Sequence, residues 1–184
     1  LVGKGGTLPS GADAADQAGD GQLRRALAAG RFEGDAAQLV EIIAPAGMSA
    51  SRLIAAGTGQ NGKIERSLYE RIGGALAARL LASGETHLVI DVAGAEAAVD
   101  VNPGACIALG VLLRSWRYDN YRTKLPEKQK PTLNQITVVG GSAETKRIFD
   151  RLAAVAEGVF LTRELVTEPA NIIYPESFVE RCQH

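Results

Sequence analysis

The chain has 184 residues, of which 46% are hydrophobic and 22% charged. This is an ordinary globular composition, and it excludes the collagen-like, coiled-coil and disordered classes. At roughly 100–200 residues per domain, the length predicts one domain. Lys and Arg number 20 against 21 Asp and Glu, so the net charge of -1 does not suggest nucleic-acid binding by the whole chain.

The two cysteines, Cys106 and Cys182, are too few for a disulfide framework. They indicate a reducing compartment, and we expect a cytoplasmic protein. The two histidines, His87 and His184, leave little for a His-rich metal site. No apolar run approaches the ~18 residues that a membrane helix needs, and no secretory signal opens the sequence. We therefore expect no membrane partner.

The predicted elements alternate between strands and helices after a loose beginning. Leu1 and Val2 have the character of a strand end, and we interpret the sequence as a fragment. Residues 7–21, rich in Gly, Ala and Asp, are predicted to form a loop. The predicted helices lie at 22–29, 63–83, from Pro103, 144–166 and from Pro175, and the predicted strands at 38–43, 52–56, 86–91 and 135–139.

Two features of these elements bear on packing. Gly73 and Gly74 interrupt the 63–83 helix at a cost of roughly 1 kcal/mol each against Ala, and the usual compensation is close approach to a neighbouring element. Two apolar stripes predict the buried helix faces: Ile64, Leu68, Ile72, Leu76 and Leu80 in the first long helix, and Ile148, Leu152, Val155 and Val159 in the last.

The alternation predicts a three-layer α/β/α domain with helices on both faces of one sheet. The connection from Ile43 to Arg52 is too short for a helical crossover, which favours one antiparallel pair. The strand at 86–91 is continuously apolar and therefore central. We expect a mixed, mainly parallel sheet.

Two glycine-rich turns have the composition of phosphate-binding loops. Gly57 to Gly62 spells G-x-G-x-x-G between a strand and a helix, as in dinucleotide sites. The first acid at a following strand end is Asp91, too far along the chain to hold the ribose, so we interpret the turn as structural and predict no useful NAD affinity. Gly3 to Thr7 lacks the spacing of a phosphate loop and is also interpreted as a turn.

The remaining candidates for chemistry are weaker. Cys106 lies in an apolar helix, where a packed thiol is the default, and His87 is interpreted as a structural histidine. Asp91, Glu96 and Asp100 either cluster beyond a strand end or form a solvated loop, and we favour the loop. We therefore predict no catalytic, cofactor-binding or metal-binding residue in this segment.

A basic run with interleaved aromatic residues follows the helix that begins at Pro103. This composition can bind nucleic acid, although Asp119 and Glu127 dilute it. Aromatic residues at a helix end pack or join an interface more often. The run comprises Arg114, Arg117, Arg122, Lys124, Lys128 and Lys130, with Trp116, Tyr118 and Tyr121 between them.

Three segments resemble the leucyl (cytosol) aminopeptidase family. Residues 156–176, AEGVFLTRELVTEPANIIYPE, resemble the family's A-x-G-x-x-L-A-R-D-L-V-N-x-P-A-N-x-x-T-P-E. Residues 108–122, ALGVLLRSWRYDNYR, resemble E-G-x-L-L-x-x-Y-R-F-D-x-Y-K, and residues 52–59 match a strand and turn more weakly. Thr167 replaces the usual Asn, and Tyr174 replaces a capping Thr.

The resemblance implies an N-terminal α/β domain with a macro-domain-like fold over 1–166. Residues 167–184 would be the junction and first helix of a catalytic domain absent from this sequence. That domain would remove N-terminal residues from peptides with two divalent metals, Zn or Mn, held partly by an N-T-D-A-E-G-R motif. The family forms hexamers, so the role of this segment would be assembly and access to the active site.

Two alternatives remain open. One is a macro-like module that binds a nucleotide or ADP-ribose, which calorimetry would test, and the other is nucleic-acid binding through residues 114–130. In the leading interpretation, Phe178 and Cys182 lie on a face that needs a partner outside this chain. We therefore predict that residues 175–184 are poorly ordered in solution or docked on a neighbouring molecule.

Overall fold

A computed structural model describes residues 1–5, 8–59, 65–96 and 98–183 of the chain. Within these residues the elements alternate between helices and short strands. A short 3-10 turn, Glu127–Gln129, precedes the last strand. The elements in chain order are α1 (Ser10–Ala18), α2 (Gln22–Ala29), β1 (Leu39–Ile43), β2 (Arg52–Ala56), α3 (Arg66–Leu80), β3 (His87–Asp91), α4 (Pro103–Ser115), β4 (Gln135–Val139), α5 (Thr145–Thr167) and α6 (Pro175–Cys182).

The strands form two separate pairs. β1 and β2 are antiparallel, with Leu39 opposite Ala56, which confirms the prediction from the short connection. β3 and β4 are parallel, with His87 opposite Gln135. Among the described residues no ladder joins β2 to β3, so the one mixed sheet that the sequence predicts is present here as two pairs. The α/β class is as predicted.

Helices α3 and α4 form the centre of the core. Their contact requires glycine on both sides, because a Cβ on Gly73 would lie 2.1 Å from the carbonyl oxygen of Ile107. A Cβ on Gly110 would likewise lie 2.1 Å from the carbonyl oxygen of Glu70. The predicted close approach is thus confirmed at Gly73. Gly74 has no neighbour within 4 Å of its Cβ position, so packing does not require that glycine.

The α3 stripe is buried as predicted at its four described positions, while Ile64 lies outside the described residues. These positions, Leu68, Ile72, Leu76 and Leu80, are at most 7% exposed. Helix α4 begins at Pro103, also as predicted, and the side chain of Asn102 caps it by accepting from the Ala105 N–H at 2.9 Å. The two helices therefore pack through periodic apolar faces.

The prediction of a loop over residues 7–21 is wrong, because Ser10–Ala18 is a helix. Asp16 stabilises its contact with α2. The Asp16 carboxylate accepts from both the backbone N–H and the Nε of Arg24 at 2.9 Å, which caps the first turn of α2. The polar residues that suggested a loop are the ones that join the two helices.

Helix α5 extends for 23 residues and ends at Thr167, before Pro169, as expected from the restricted geometry ahead of proline. Its predicted stripe is wrong in one position. Val155 is 58% exposed, whereas Ala156 beside it is fully buried. Ile148, Leu152 and Val159 are half-buried. The helix therefore buries one narrow side and exposes most of its surface.

Candidate functional site

In the glycine turn after β2, the backbone N–H groups form hydrogen bonds within the chain. A Cβ on Gly57 would lie 2.1 Å from the Asp35 carbonyl oxygen, so this glycine allows a close backbone crossing. Three N–H groups of the turn donate to main-chain carbonyls: Gly57 to Gln38 at 2.8 Å, Thr58 to Val2 at 3.0 Å and Gly59 to Gly34 at 2.8 Å. These groups are therefore engaged, and residues 60–62 of the motif lie outside the described residues.

The other glycine-rich segment packs in the same region. The Gly5 N–H donates to the Glu33 carbonyl at 3.4 Å, and a Cβ on Gly34 would lie 2.4 Å from the Gly3 carbonyl oxygen. Gly6 and Thr7, the rest of this candidate phosphate loop, lie outside the described residues. The described part forms a turn against the chain that precedes β1.

The candidate nucleophiles and ligands are dispersed. Cys106 is buried in the core and Cys182 is exposed, and both are free thiols. Burial raises the pKa of the Cys106 thiol, so it is less reactive than an exposed one. His87 lies 2.8 Å from the Thr137 hydroxyl across the β3–β4 ladder. His184, the other histidine, is outside the described residues.

The three carboxylates near the end of β3 have separate surroundings. Asp91 accepts from the Ala93 N–H at 2.8 Å, and the backbone carbonyl of Glu96 accepts from the Tyr69 hydroxyl. Asp100 is exposed. Across the described ranges, no three His, Cys, Asp or Glu side chains come together as a metal site would require.

The basic run after α4 is partly neutralised by nearby acids. Arg117 pairs with Asp119 at 2.6 Å and also donates to the Gln129 carbonyl, while Arg122 lies 3.6 Å from the same carboxylate. Lys130 pairs with Glu127. The acids that the sequence suggested as diluting the run are therefore its partners, which weakens the case for a nucleic-acid surface.

The aromatic residues of this run stack on each other and on α5. The rings of Trp116 and Tyr118 are 6.2 Å apart, and Tyr121 meets Tyr118 edge-on at 5.9 Å. The guanidinium of Arg163 lies 5.7 Å from the centre of the Trp116 ring and donates to the Leu113 carbonyl at 2.6 Å. Trp116 and Tyr118 are half-buried by these contacts, whereas Tyr121 is 58% exposed.

A polar cluster joins this aromatic segment to the junction after α5, and we call it the junction latch. It consists of Tyr118, Tyr121, Glu168 and Arg181. The Glu168 side chain is only 4% exposed. It accepts from the Tyr121 hydroxyl at 2.7 Å and from Arg181 at 3.4 Å. The Tyr118 hydroxyl is also buried and lies beside this carboxylate.

The electrostatics of the latch favour an ionised Glu168. The Tyr118 hydroxyl, the Tyr121 hydroxyl and then Arg181 hold the pKa of Glu168 below its ordinary value of 4.5. Burial, followed by the adjacent Glu168 carboxylate, raises the pKa of Tyr118. Sequence reasoning missed this cluster because 47 residues separate Tyr121 from Glu168, although both lie in segments that carried the family resemblance.

The latch holds the last turn of α6, where Arg181 lies, against the end of α5. Arg181 also pairs with Glu164 of α5 at 3.0 Å. The Ser177 hydroxyl accepts from the Tyr174 backbone N–H at 2.9 Å, which is one half of a capping box at the start of α6. Helix α6 thus begins at Pro175 as predicted and is tied to α5, while Phe178 is 48% exposed.

Large apolar side chains on α5 and α6 face solvent, and we call them the α5–α6 apolar surface. An open cleft of about 570 Å³ lies beside them, between the ends of α4 and α5. Trp116, Arg163 and Val166 are among its lining residues. The surface consists of Val155 and Val166, which lie on the same side of α5, and of Phe178 and Val179 of α6, and these residues are 48–81% exposed. Leu161, 45% exposed, lies on another side of α5.

None of the helices in the described part of the chain is both long and apolar enough to cross a membrane.

Known proteins match this chain in sequence. The cytosol aminopeptidase family, N-terminal domain, matches residues 1–125. A probable cytosol aminopeptidase of Chelativorans sp. (strain BNC1) is 36% identical, and one of Caulobacter vibrioides is 32% identical. Both alignments cover 100% of this chain but only 37% and 36% of the relatives. The chain thus spans about a third of their length.

Solved structures agree with the sequence matches. A tomato leucine aminopeptidase variant superposes with a TM-score of 0.77 at 27% identity, covering 93% of this chain and 33% of its own. The bottromycin maturation enzyme BotP, in complex with Mn, shares the fold with a TM-score of 0.69 at 21% identity over 98% of this chain and 34% of its own. The chain belongs to the cytosol aminopeptidase family, and residues 1–125 match its N-terminal domain.

Proposed function

We propose that this chain is the non-catalytic N-terminal part of a metal-dependent leucyl-type aminopeptidase that removes N-terminal residues from peptides. Residues 1–166 form its α/β domain, and residues 167–184 form the junction and first helix of the catalytic domain. The role of the segment is assembly and control of access to the active site. The two divalent metals, Zn or Mn, belong to the catalytic domain.

The α5–α6 apolar surface is the observation that carries this proposal. Exposed apolar patches on a folded domain mark interaction sites. Val166 is 81% exposed at the end of α5, immediately before the junction. Because α6 is part of this surface, a domain that follows α6 would begin next to it and would cover both helices.

The junction latch supports the same role by setting the direction in which the chain leaves the domain. Glu168 is buried between the aromatic segment and Arg181 of α6. A buried carboxylate with hydrogen-bond partners on two sides fixes geometry, since moving either partner leaves it unsatisfied. The latch thus holds α6 at one angle to α5.

The finer structural assignments are part of the proposal. The parent protein is a cytoplasmic homohexamer, and this domain is a macro-like, three-layer α/β/α fold. The two strand pairs share one layer of helices, since Ile90 of β3 and Ala56 of β2 pack in the same core cluster as α3 and α4. A cytoplasmic location agrees with the two free thiols.

The first experiment assays the 184-residue chain alone with an amino-acid anilide, with and without Zn or Mn. We expect no turnover, because a two-metal hydrolase needs several carboxylates converging on ions roughly 3.5–4 Å apart. Metal-dependent turnover by a clean preparation would contradict the proposal. In the gene, we expect codons after His184 for a metal-binding Lys and an N-T-D-A-E-G-R-like run, and a stop codon there would contradict it.

The second experiment tests the assembly role in the full gene product. Val155→Ser with Val166→Ser should lower the assembly state or the activity, measured by light scattering and anilide turnover. Val99→Ser is the matched control, because Val99 is fully exposed but lies in the loop before α4. If the α5 variant and the Val99→Ser control have the same assembly state and activity, α5 does not form part of an interface.

The alternative functions have less support. The N–H groups of Gly57, Thr58 and Gly59 already donate within the chain, so they are not free to hold the phosphates of NAD or ADP-ribose. We expect no heat of binding for either ligand. For nucleic acid, a salt-dependent gel shift is the test, because phosphate contacts weaken steeply with salt.

A further inference from the structure

The open cleft between the ends of α4 and α5 combines cationic and apolar side chains. It has a volume of about 570 Å³ and lies between the end of α4 and the last two turns of α5. Its lining includes two arginines, Arg114 and Arg163, together with the apolar Leu113 and Val166. Within the described residues, no carboxylate lines this cleft. The chemistry of the cleft therefore favours a ligand that is both anionic and apolar.

Arg163 is held in one orientation at the border of the cleft. Its guanidinium donates to the Leu113 carbonyl at 2.6 Å and lies 5.7 Å from the centre of the Trp116 ring. A guanidinium carries five N–H donors in a planar fork, so the contact with Leu113 leaves further donors for a ligand. Because binding normally includes the cost of ordering a long side chain, an arginine that is already ordered favours binding.

The two arginines of the cleft lack the acidic partners that neighbouring arginines have. Arg117 and Arg181 pair with carboxylates at 2.6 Å and 3.0 Å. In the part of the chain that the structure describes, Arg114 and Arg163 form no ion pair. Arg114 is exposed in the last turn of α4, where the negative end of the helix dipole stabilises a cation. Both guanidinium groups can therefore bind a carboxylate from outside.

The other side chains of the cleft offer apolar contact rather than further donors. Val166 is 81% exposed, and Leu113 is half-buried. The hydroxyls of Thr162 and Thr167 donate to backbone carbonyls four residues earlier in α5, at 2.9 Å and 2.6 Å. An apolar side chain that covers Val166 would remove apolar surface from water, which favours binding. The arginines would then supply the donors for an anionic group beside that side chain.

A peptide segment fits the cleft better than a nucleic acid or a small molecule does. The Trp116 ring already packs against Tyr118 and Arg163. These contacts leave less of the ring for stacking with a base, on which single-strand binding depends. Small molecules usually bind with most of their surface enclosed, whereas this cleft is open. A peptide can cross an open cleft and present a carboxylate and an apolar side chain to it together.

We propose that the cleft between the ends of α4 and α5 docks an acidic peptide segment in which a Glu or Asp lies next to a large apolar residue. The carboxylate accepts from Arg114 and Arg163, and the apolar side chain covers Val166. Charge complementarity determines the occupant, because an acidic segment neutralises the two cations that line the cleft. The inference uses only contacts within this chain and does not depend on the aminopeptidase assignment.

The experiment titrates the 184-residue chain with short peptides and follows tryptophan fluorescence. Trp116 is the only tryptophan in the sequence, so its emission reports on the cleft. The test peptide is acetyl-Gly-Glu-Leu-Glu-Leu-Gly-amide. One matched control replaces both Glu residues by Gln, which removes the charge alone, and the other replaces both Leu residues by Ser, which removes the apolar side chains. Hexathymidine tests the nucleic-acid alternative.

We expect a saturable change in Trp116 emission with the test peptide. The Gln peptide should bind about tenfold more weakly, because hydrogen bonds to a charged acceptor are stronger than those to a neutral one. The Ser peptide should also bind more weakly. Equal binding of the test peptide and either control would overturn the proposal, as would the absence of a saturable change. Tighter binding of hexathymidine would assign the cleft to nucleic acid instead.

Two variants with equal changes in charge locate the binding site. Arg114→Gln should weaken binding of the test peptide by about fivefold to tenfold, because one charge-assisted contact is lost. Arg151→Gln should leave the affinity unchanged, since Arg151 is exposed on α5 and lies roughly 18 Å from Arg163 along the helix at 1.5 Å per residue. Both variants should keep the Tm of the parent chain. An equal loss of affinity in the two variants would indicate attraction by overall charge and would overturn the proposal.

Discussion

The α3–α4 pair and the α5–α6 segment use similar amounts of apolar sequence in opposite ways. Ile72 and Ile107 are completely buried where α3 meets α4, and the helices approach closely enough to need glycine on both sides. In α5, only Ala156 is fully buried, while Val166 is 81% exposed. The apolar faces of α3 and α4 are buried within this chain, whereas much of the apolar surface of α5 and α6 is exposed.

This difference in burial indicates that the α3–α4 contact contributes more to the stability of the domain than the α5–α6 segment does. Removing buried atoms from a closely packed interface lowers the free energy of unfolding. An apolar face that is exposed to solvent contributes little to that free energy. Substitutions at the two places should therefore differ sharply in the isolated chain.

The largest expected effect is at the centre of the α3–α4 contact. Ile107→Ala should lower the free energy of unfolding by about 4 kcal/mol, because it removes buried atoms and leaves a cavity. Val166→Ala should change it by less than about 0.5 kcal/mol, as is usual for surface positions. Urea unfolding measures both, and equal effects would erase the distinction between the two regions.

The two adjacent glycines of α3 sharpen the comparison within one helix. Gly73→Ala places a Cβ 2.1 Å from the Ile107 carbonyl oxygen, and overpacking of this kind costs about 1–3 kcal/mol. Gly74→Ala meets nothing within 4 Å and should stabilise by about 1 kcal/mol through helix propensity. Opposite signs in urea unfolding are the expected result, and the same sign at both positions would show that the contact does not depend on Gly73.

Local sequence patterns were sufficient to predict elements that have a regular apolar spacing or a short connection. The four-residue spacing of Leu68, Ile72 and Leu76 predicted α3, and the short connection after Ile43 predicted the antiparallel β1–β2 pair. The consecutive glycines predicted a close helix contact, but not which of the two made it. That distinction depends on the position of α4, which no local pattern contains.

Most of the features that sequence reasoning missed depend on a contact with another element. Helix α1 has no apolar stripe, and its Asp16 is stabilised by Arg24 of the next helix. The basic run looked open because Asp119 and Glu127 were counted as dilution rather than as partners. The stripe predicted for α5 included Val155, although the narrow buried side passes through Ala156. For α1 and α5 a contact with another element overrode the local pattern, whereas the partners in the basic run lie only two or three residues away.

The separation of the strands into two pairs, β1–β2 and β3–β4, is a further difference from the sequence prediction. The sequence predicted one sheet, and the strands do share one layer of helices. What is missing is the hydrogen bonding between β2 and β3, which pattern reasoning assumed as soon as the strands were assigned. Pairing partners are a non-local property, so the number and type of strands could be predicted while their continuity could not.

The smallest expected effect concerns the junction latch and pH. The pKa of Glu168 lies below its ordinary value of 4.5, so its ionised form stabilises the folded latch above that value. This contribution is lost as the pH falls through the lower folded pKa. Protection of the α6 amides from exchange should therefore decrease at acidic pH before that of α3, as measured by hydrogen exchange.

Two variants separate the latch from general acid unfolding. Glu168→Gln should lower the protection of Pro175–Cys182 at neutral pH and remove most of its pH dependence, because the amide cannot ionise and pairs poorly with Arg181. Glu157→Gln, on the exposed side of α5, should leave the profile unchanged. If the two variants behave alike, Glu168 does not hold α6. Contacts other than the Glu168 carboxylate would then orient α6.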